Sequence, residues 1–290
     1  MIRGRAYALA AACCFATLGV FSKRAYQHGT GELELLCARL IGAFVVLGAL
    51  GLVLRAPLPR GRLLLLSTVG LGLCQLGTTV GLLVGFDRAP AVLVVLLFYV
   101  YPLLVSVGAS LLYKEEFALR QLIALCLGLA GVAFTAGRPG SVPAVGVALG
   151  LLAGLCTTVY FLLSRHVIAR GADPLGIAAV VYAVPSVILL VVAATRGFTF
   201  PGAAGSGFAS GVVLIGTVAP ILLVFGAIRR VGAGLAALLS TLEPFVAVVI
   251  AYVFLGERLS ALQLVGGACI LAAVVCSTLP ALPVLVPRRA

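Results

Sequence analysis

Charged side chains are scarce in this chain of 290 residues. Only 10% of its residues are charged, and aspartate and glutamate together number 8, whereas 63% of the residues are hydrophobic and the mean hydropathy is +1.26. So little charge excludes a soluble globular protein and indicates an integral membrane protein. The polar connections are also too short to form a soluble domain, and a Pro/Gly-rich segment lies at 138–143.

Several kinds of site are missing as well. No GxxxxGK loop is present to cradle a phosphate, so ATP is not expected to be the direct energy source. The two histidines, His28 and His166, fall at loop edges on opposite sides of the membrane, and the eight cysteines lie in apolar segments without metal or redox spacing. We therefore expect no metal and no other cofactor. No nucleic-acid motif accompanies the net charge of +12, which anionic headgroups and topology explain.

Ten apolar stretches of the chain are each about 20 residues long, the length that crosses a bilayer as a helix. Their continuous hydrophobicity excludes the alternating pattern of barrel strands. The sequence therefore predicts an all-α integral membrane protein with ten transmembrane helices. The predicted spans are 4–22, 35–54, 63–85, 90–112, 120–137, 145–164, 175–195, 208–228, 233–255 and 261–282.

The chain is a duplicated unit. A shift of 142 residues aligns it with itself without a gap, and identical residues coincide at Gly4 and Gly146 and at Pro102 and Pro244. The prediction is two domains of five helices each, at 1–138 and 143–284. Because five is odd, the second copy must enter the bilayer from the opposite side, and such an inverted repeat is typical of membrane transporters. The same alignment argues against a cleaved secretory signal, since the first span has a counterpart in the second copy.

Basic residues in the connections predict the orientation. Thirteen fall on the side that holds the N-terminus and six on the other side. Because basic residues concentrate in the cytoplasm, both termini are predicted to be cytoplasmic, in a multi-pass protein of a bacterial inner membrane.

Glu243 is the one acidic residue well inside a predicted span. A carboxylate at membrane depth is costly, so it usually faces a cavity and serves a ligand or a proton. Pro244 beside it leaves a backbone carbonyl without a donor. Tyr101 is the equivalent residue of the first copy, and Ser240 and Phe98 lie one turn away on the same faces. The alternative is that Glu243 is a buried hydrogen-bond partner between helices.

Other polar side chains inside the spans extend this candidate site. Each of them either pairs between helices or lines a wet pocket. Gln75 with Thr79 forms one polar face, and Tyr160 lies on another. The predicted substrate-binding residues are Glu243, Tyr101, Gln75, Thr79, Phe98, Tyr99, Tyr160 and Ser240.

Two further patterns have mainly structural interpretations. Glycines at four-residue spacing, such as Gly77, Gly81 and Gly85, predict close helix packing, with sliding during transport as the alternative. Glu115 and Glu257 follow the fourth span of each copy, and each is expected to start the next helix by accepting from its exposed N–H groups. A gating ion pair is the alternative for both glutamates.

Together these residues resemble the EamA family of the drug/metabolite transporter superfamily over the whole chain. The resemblance is carried by the two five-span copies and by residues at fixed places in them. Those residues are Lys23, Arg39, Pro102, Glu115, Gln121, Glu243, Pro244, Glu257, Arg258 and Gln263. The resemblance implies ten helices, cytoplasmic termini, a central cavity walled by spans 1, 3, 4, 6, 8 and 9, and peripheral spans 5 and 10.

The resemblance is to bacterial exporters of amino acids and related metabolites, and it predicts a secondary transporter that exports such compounds by alternating access, with possible proton coupling. The expected partners are a small-molecule substrate and the lipid bilayer, and the protein is expected to be a monomer or a homodimer. One alternative is a multidrug or cation exporter of the same fold. A second alternative is an intramembrane enzyme. It would need a nucleophile with a base, or paired acids, at membrane depth, and Glu243 is the one such residue there. A channel is the third alternative, which saturable flux would exclude.

Overall fold

The computed structural model describes residues 2–88, 94, 97–115, 117–136, 144–196, 203–255, 261–278 and 284–286. Nearly all of them are helical. The first half contains α1 (Ile2–Ala16), α2 (Leu18–Gln27), α3 (Glu32–Val53), α4 (Arg62–Leu65), α5 (Leu71–Arg88), α6 (Tyr101–Tyr113) and α7 (Leu119–Ala136). The second half contains α8 (Ala144–Ala169), α9 (Pro174–Val181), α10 (Ala183–Arg196), α11 (Ala203–Val213), α12 (Ala219–Leu239), α13 (Glu243–Leu255) and α14 (Ala261–Thr278).

Three short irregular turns join helices end to end. A π turn at Leu66–Gly70 connects α4 with α5, and another at Leu214–Val218 connects α11 with α12. A 3₁₀ turn at Ser240–Leu242 connects α12 with α13. The only β structure among the described residues is an antiparallel pair of short strands, β1 (Phe117–Ala118) and β2 (Val284–Val286).

Six helical stretches are long and apolar enough to cross a membrane by length and composition, and the longest runs over Gly205–Phe254. Three more apolar helices are shorter, at Tyr101–Tyr113, Gln121–Phe134 and Leu264–Ala273. The prediction of a helical integral membrane protein is thereby confirmed. The count of ten spans stays a prediction, since the linker at 138–143 and the start of the span at 90–112 lie largely outside the described residues.

Gly232 divides the longest stretch into two helices. Its φ of 84° and ψ of 171° interrupt the helical conformation of α12, so two helices meet there end to end. Only glycine adopts such a φ without strain. The break matches the sequence prediction of two separate spans, at 208–228 and 233–255.

The glycine stripes are packing faces. Gly81 of α5 lies against α8, and a Cβ at that position would be 2.8 Å from the carbonyl oxygen of Leu149 and 3.0 Å from the Cβ of Ala153. Gly77 on the same face approaches the thiol of Cys156. Lipid provides no hydrophobic drive for helix association, so close backbone approach at small residues supplies the packing contacts.

Replacing Gly81 by alanine is expected to destabilise the protein by about 1–3 kcal/mol, because a methyl group meets backbone of α8 that cannot move aside easily. Thermal unfolding of the detergent-solubilised protein measures the effect. Gly207→Ala is the matched control, since a Cβ there meets nothing within 4 Å and alanine favours a helix. Equal melting temperatures for both variants would contradict tight α5–α8 packing.

Candidate functional site

A polar cavity of about 1040 Å³ enters the helix bundle on the side away from the N-terminus. Its mouth carries the exposed charges of Glu32, Arg88 and Arg196, at the start of α3 and the ends of α5 and α10. Its deeper polar wall comes mainly from α2, α3 and α5. The polar residues of that wall are Ser22, Tyr26, Arg39, Gln75, Thr78 and Thr79.

Gln75 and Thr79, two of the predicted site residues, lie on this wall as successive turns of α5. The Thr79 hydroxyl donates to the carbonyl oxygen of Gln75 over 2.9 Å. Thr78 also lies on this wall, and its hydroxyl lies 2.9 Å from that of Thr157 on α8. The polar groups of α5 therefore serve both purposes considered for them, because they line the cavity and one of them also pairs with a neighbouring helix.

Arg39 lies at the inner part of the cavity. It follows Glu32 on α3 by seven residues, which places it about 10 Å further along the helix. Its Nε donates to the Thr217 hydroxyl over 3.3 Å, and that hydroxyl, in the π turn, donates to the Val212 carbonyl oxygen of α11 over 2.8 Å. Arg39 also interacts electrostatically with Glu243.

Glu243 begins α13 and forms the centre of a second cluster beyond Arg39. Its carboxyl group interacts with the Tyr99 hydroxyl. Tyr101 interacts with Ser240 and with Glu243. Phe98 packs against both tyrosines, with ring centroids 5.1 Å from Tyr99 and 5.0 Å from Tyr101. The structure thus brings together five of the eight predicted residues, from the matching segments of the two copies.

Tyr160 of α8 is the eighth predicted residue and lies at the edge of this cluster. Its ring stacks on Phe225 at 5.9 Å and contacts Phe161, which in turn packs against Tyr101. The Tyr160 hydroxyl is buried and has no hydrogen-bond partner among the described residues. Tyr160 also interacts electrostatically with Tyr182, which connects it to the Arg39 side of the site.

Glu115 joins the two halves of the chain at the opposite end of the bundle. Its carboxylate accepts from the backbone N–H of Ala233 over 3.2 Å and of Gly234 over 3.1 Å, and from the Arg165 Nε over 3.0 Å. Gly4 packs against Val231 nearby, so these contacts lie on the N-terminal side. We call these contacts of Glu115 with Arg165, Ala233 and Gly234 the Glu115 latch.

The prediction that Glu115 starts the next helix was wrong. Glu115 instead caps a helix of the other half of the chain. The reason is the break at Gly232, which leaves the N–H groups of Ala233 and Gly234 without intrahelical acceptors. A carboxylate is favoured at such an end, and Arg165 adds an ion pair. Glu257, the equivalent of Glu115, lies outside the described residues.

Arg39 and Tyr182 are missing from the sequence-derived site. For Arg39 a signal was present, because an arginine inside an apolar segment is as unusual as Glu243. Tyr182 has no such signal. It ends α9 at the junction with α10, and only the packing of α10 on α3 brings it to Arg39.

Comparison with known proteins agrees with this architecture. The EamA-like transporter family matches residues 2–137 and again residues 144–279. The chain is 25% identical over 276 residues to the uncharacterized transporter YcbK of Bacillus subtilis (strain 168), which covers 91% of this chain and 88% of that protein. It is 28% identical over 209 residues to an uncharacterized transporter of Archaeoglobus fulgidus, covering 72% of this chain and 74% of that one.

A protein of known crystal structure has the same fold. It superposes with a TM-score of 0.80 at 18% identity, over 95% of this chain and 96% of its own. The family, matched in both halves of the chain, and the relatives are transporters rather than enzymes. The chain belongs to the EamA-like transporter family, and it is a multi-pass membrane transporter.

Proposed function

We propose that this protein is a secondary transporter that exports small metabolites, amino acids or related compounds, by alternating access. The observation that carries the proposal is the asymmetry of the bundle. A polar cavity opens on one side and reaches Arg39, whereas on the other side the Glu115 latch joins the two halves of the chain. A substrate path that is open at one end and closed at the other is one of the two states that alternating access requires.

The packing of helix pairs supports the proposal that the halves, at 1–138 and 143–284, are inverted five-helix repeats with ten spans in all. Helix α1 packs on α12, and the equivalent helices α8 and α5 pack on each other. Helices α7 and α14, also equivalent, pack together as a pair. A pseudo-two-fold axis in the membrane plane produces these pairings.

In a bacterial inner membrane with cytoplasmic termini, the cavity opens toward the outside and the latch closes the cytoplasmic end. Reporter fusions after residue 60 and at the C-terminus are both expected to report the cytoplasm, because the basic residues concentrate on that side. A fusion after residue 30 is expected to report the outside, since Gly29 and Thr30 lie between α2 and α3. An external signal from the C-terminal fusion would contradict an even number of spans.

Transport in vesicles tests the function directly. Purified protein reconstituted in liposomes is expected to give saturable counterflow of at least one amino acid from a labelled panel, with and without an imposed pH gradient. Amphipathic cations in the same assay test the alternative of a cation exporter. That alternative is disfavoured because Arg39, Arg88 and Arg196 outnumber the single lining carboxylate, Glu32. Non-saturable flux without counterflow would indicate a channel.

A further inference from the structure

We propose that Arg39, with the hydroxyl groups of Tyr160 and Tyr182, binds the carboxylate of the transported molecule. The inference rests on the proposed function and adds to it the substrate class and the residues that recognise it. The substrate must then carry a carboxylate, and its remaining part lies in the cavity toward Gln75 and Thr79.

Arg39 supplies the positive charge of the proposed site. It lines the cavity, and Thr217 holds its Nε through a single hydrogen bond of 3.3 Å. A guanidinium group has five N–H donors in a planar fork, so this bond leaves the geometry for a bidentate carboxylate available. Burying such a charge is costly unless an anion accompanies it.

The two tyrosines supply further donors. Tyr160 is 5% exposed and Tyr182 is 1% exposed, and neither hydroxyl has a hydrogen-bond partner among the described residues. Tyr182 interacts electrostatically with both Arg39 and Tyr160, which places the three groups in one region. Buried hydroxyl groups are normally satisfied, and an acceptor-only ligand beside Arg39 would satisfy both.

The position of Tyr182 is fixed by contact between the two halves. The Ser186 hydroxyl, one turn further along, donates to the carbonyl oxygen of Leu40 over 3.1 Å. Leu40 is the residue after Arg39 on α3. This contact holds the α9–α10 junction beside Arg39, so the donors are set in place by the fold rather than gathered by a ligand.

Glu243 indicates which anion fits. Its carboxylate interacts with Arg39 and with Tyr99. A substrate carboxylate would compete with Glu243 for Arg39, as one carboxylate exchanging for another. The groups that the structure places with Arg39 include the hydroxyl groups of Tyr26, Tyr182 and Thr217, which can donate to a carboxylate.

The first test compares ligands on the wild-type protein. L-Amino acids, their carboxamides, their decarboxylated amines, the corresponding carboxylates without the amino group and simple phosphate monoesters are tested for thermal stabilisation in detergent and as competitors in counterflow. Acids are expected to act at concentrations at least about tenfold lower than their amides, the effect of losing a hydrogen bond to a charged group. Amides or amines that act as well as acids, or phosphate esters that act better, would overturn the proposal.

Variants then separate recognition from folding. Tyr182→Phe and Tyr160→Phe remove hydroxyl groups that have no partner in the described part of the chain, so the melting temperature should be unchanged or higher, while the affinity for the acid falls about tenfold. A purely structural role for these hydroxyl groups predicts no change in affinity. Arg39→Lys should weaken acid binding less than Arg39→Gln, because it keeps the charge and loses the fork. Arg60→Gln, an exposed arginine outside the cavity, is the matched control.

A double variant tests the remaining explanation, that Arg39 only neutralises Glu243. In that case Arg39→Gln combined with Glu243→Gln removes both charges and should restore the preference for acids over amides. The carboxylate site predicts that the double variant folds but has lost that preference. If no compound of any class moves across the membrane, the proposed transport function fails, whereas stabilisation by acids in detergent still decides whether Arg39 binds carboxylates.

Discussion

Replacing Glu243 by glutamine is expected to reduce transport at least about tenfold while the protein still folds and inserts. Glutamine keeps the shape and still offers an acceptor to Tyr99, but it removes the negative charge that interacts with Arg39. A partly buried arginine without its counter-charge changes the electrostatics of the site, and a lost hydrogen bond or contact to a charged group costs roughly 1.5–3 kcal/mol. Initial rates and their pH profile in proteoliposomes measure the loss.

Asp173→Asn is the matched control for removing an acid. Asp173 caps α9 outside the cavity, and its contact with Arg229 is long, at 3.8 Å, and exposed. Asparagine also caps helices well, so transport should be unchanged. If Glu243→Gln has the rate, affinity and pH profile of the wild type, Glu243 is only a packing partner, and the site must be sought among Gln75, Tyr101 and Tyr160.

Replacing Glu115 by glutamine is expected to open the N-terminal side of the bundle. Glutamine offers one acceptor in place of two and no charge for Arg165, so the latch loses at least one charge-assisted bond. The corresponding change of about 1.5–3 kcal/mol shifts the closed state toward the open one by a factor of roughly 10 to 150. Hydrogen–deuterium exchange of the peptide that contains Ala233 and Gly234 should become faster by about that factor.

Charge reversal distinguishes helix capping from a simple ion pair. Glu115→Arg combined with Arg165→Glu restores an ion pair but cannot accept hydrogen bonds from backbone N–H groups, so fast exchange should persist. Lys114→Ala, at the exposed neighbour of Glu115, serves as the control and should exchange like the wild type. Full restoration of slow exchange by the charge reversal would show that the N–H contacts of Glu115 do not hold the latch.

The Glu115 latch also requires glycine at position 232. A Cβ at this position would overlap the Glu115 carboxylate, and the φ of 84° already disfavours any other residue. Gly232→Ala is therefore expected to mimic Glu115→Gln in the exchange experiment, although it leaves both charges of the ion pair in place. The repeat alignment places Pro90 opposite Gly232 in the first copy, a position outside the described residues.

The helical membrane fold followed from the sequence because lipid imposes simple rules. Apolar runs of sufficient length become helices, since no other backbone form satisfies its hydrogen bonds without a barrel. The spans at 208–228 and 233–255 were separated correctly, and Gly81 was correctly assigned to a packing face. Glu243 stood out because an acid inside such a run is costly wherever its partners lie.

Partnerships across the two halves depended on tertiary structure. Glu115 follows α6 in sequence, yet its partners Arg165, Ala233 and Gly234 lie 50 to 119 residues away along the chain. Sequence spacing predicted a local helix cap because it contains no information on which distant helix end is left open. The break at Gly232 determined that, together with the packing that brings this end to Glu115.

The sequence by itself determined the class of protein, the duplication and the presence of a carboxylate at membrane depth, because each of these follows from hydropathy, repetition or the cost of a buried charge. Only the tertiary structure joined Glu243 to Tyr99 and Arg39, and Arg39 to Tyr182. Side chains from four different segments of the chain meet there, and their relative rotation and depth are set by close packing between small residues rather than by any local pattern.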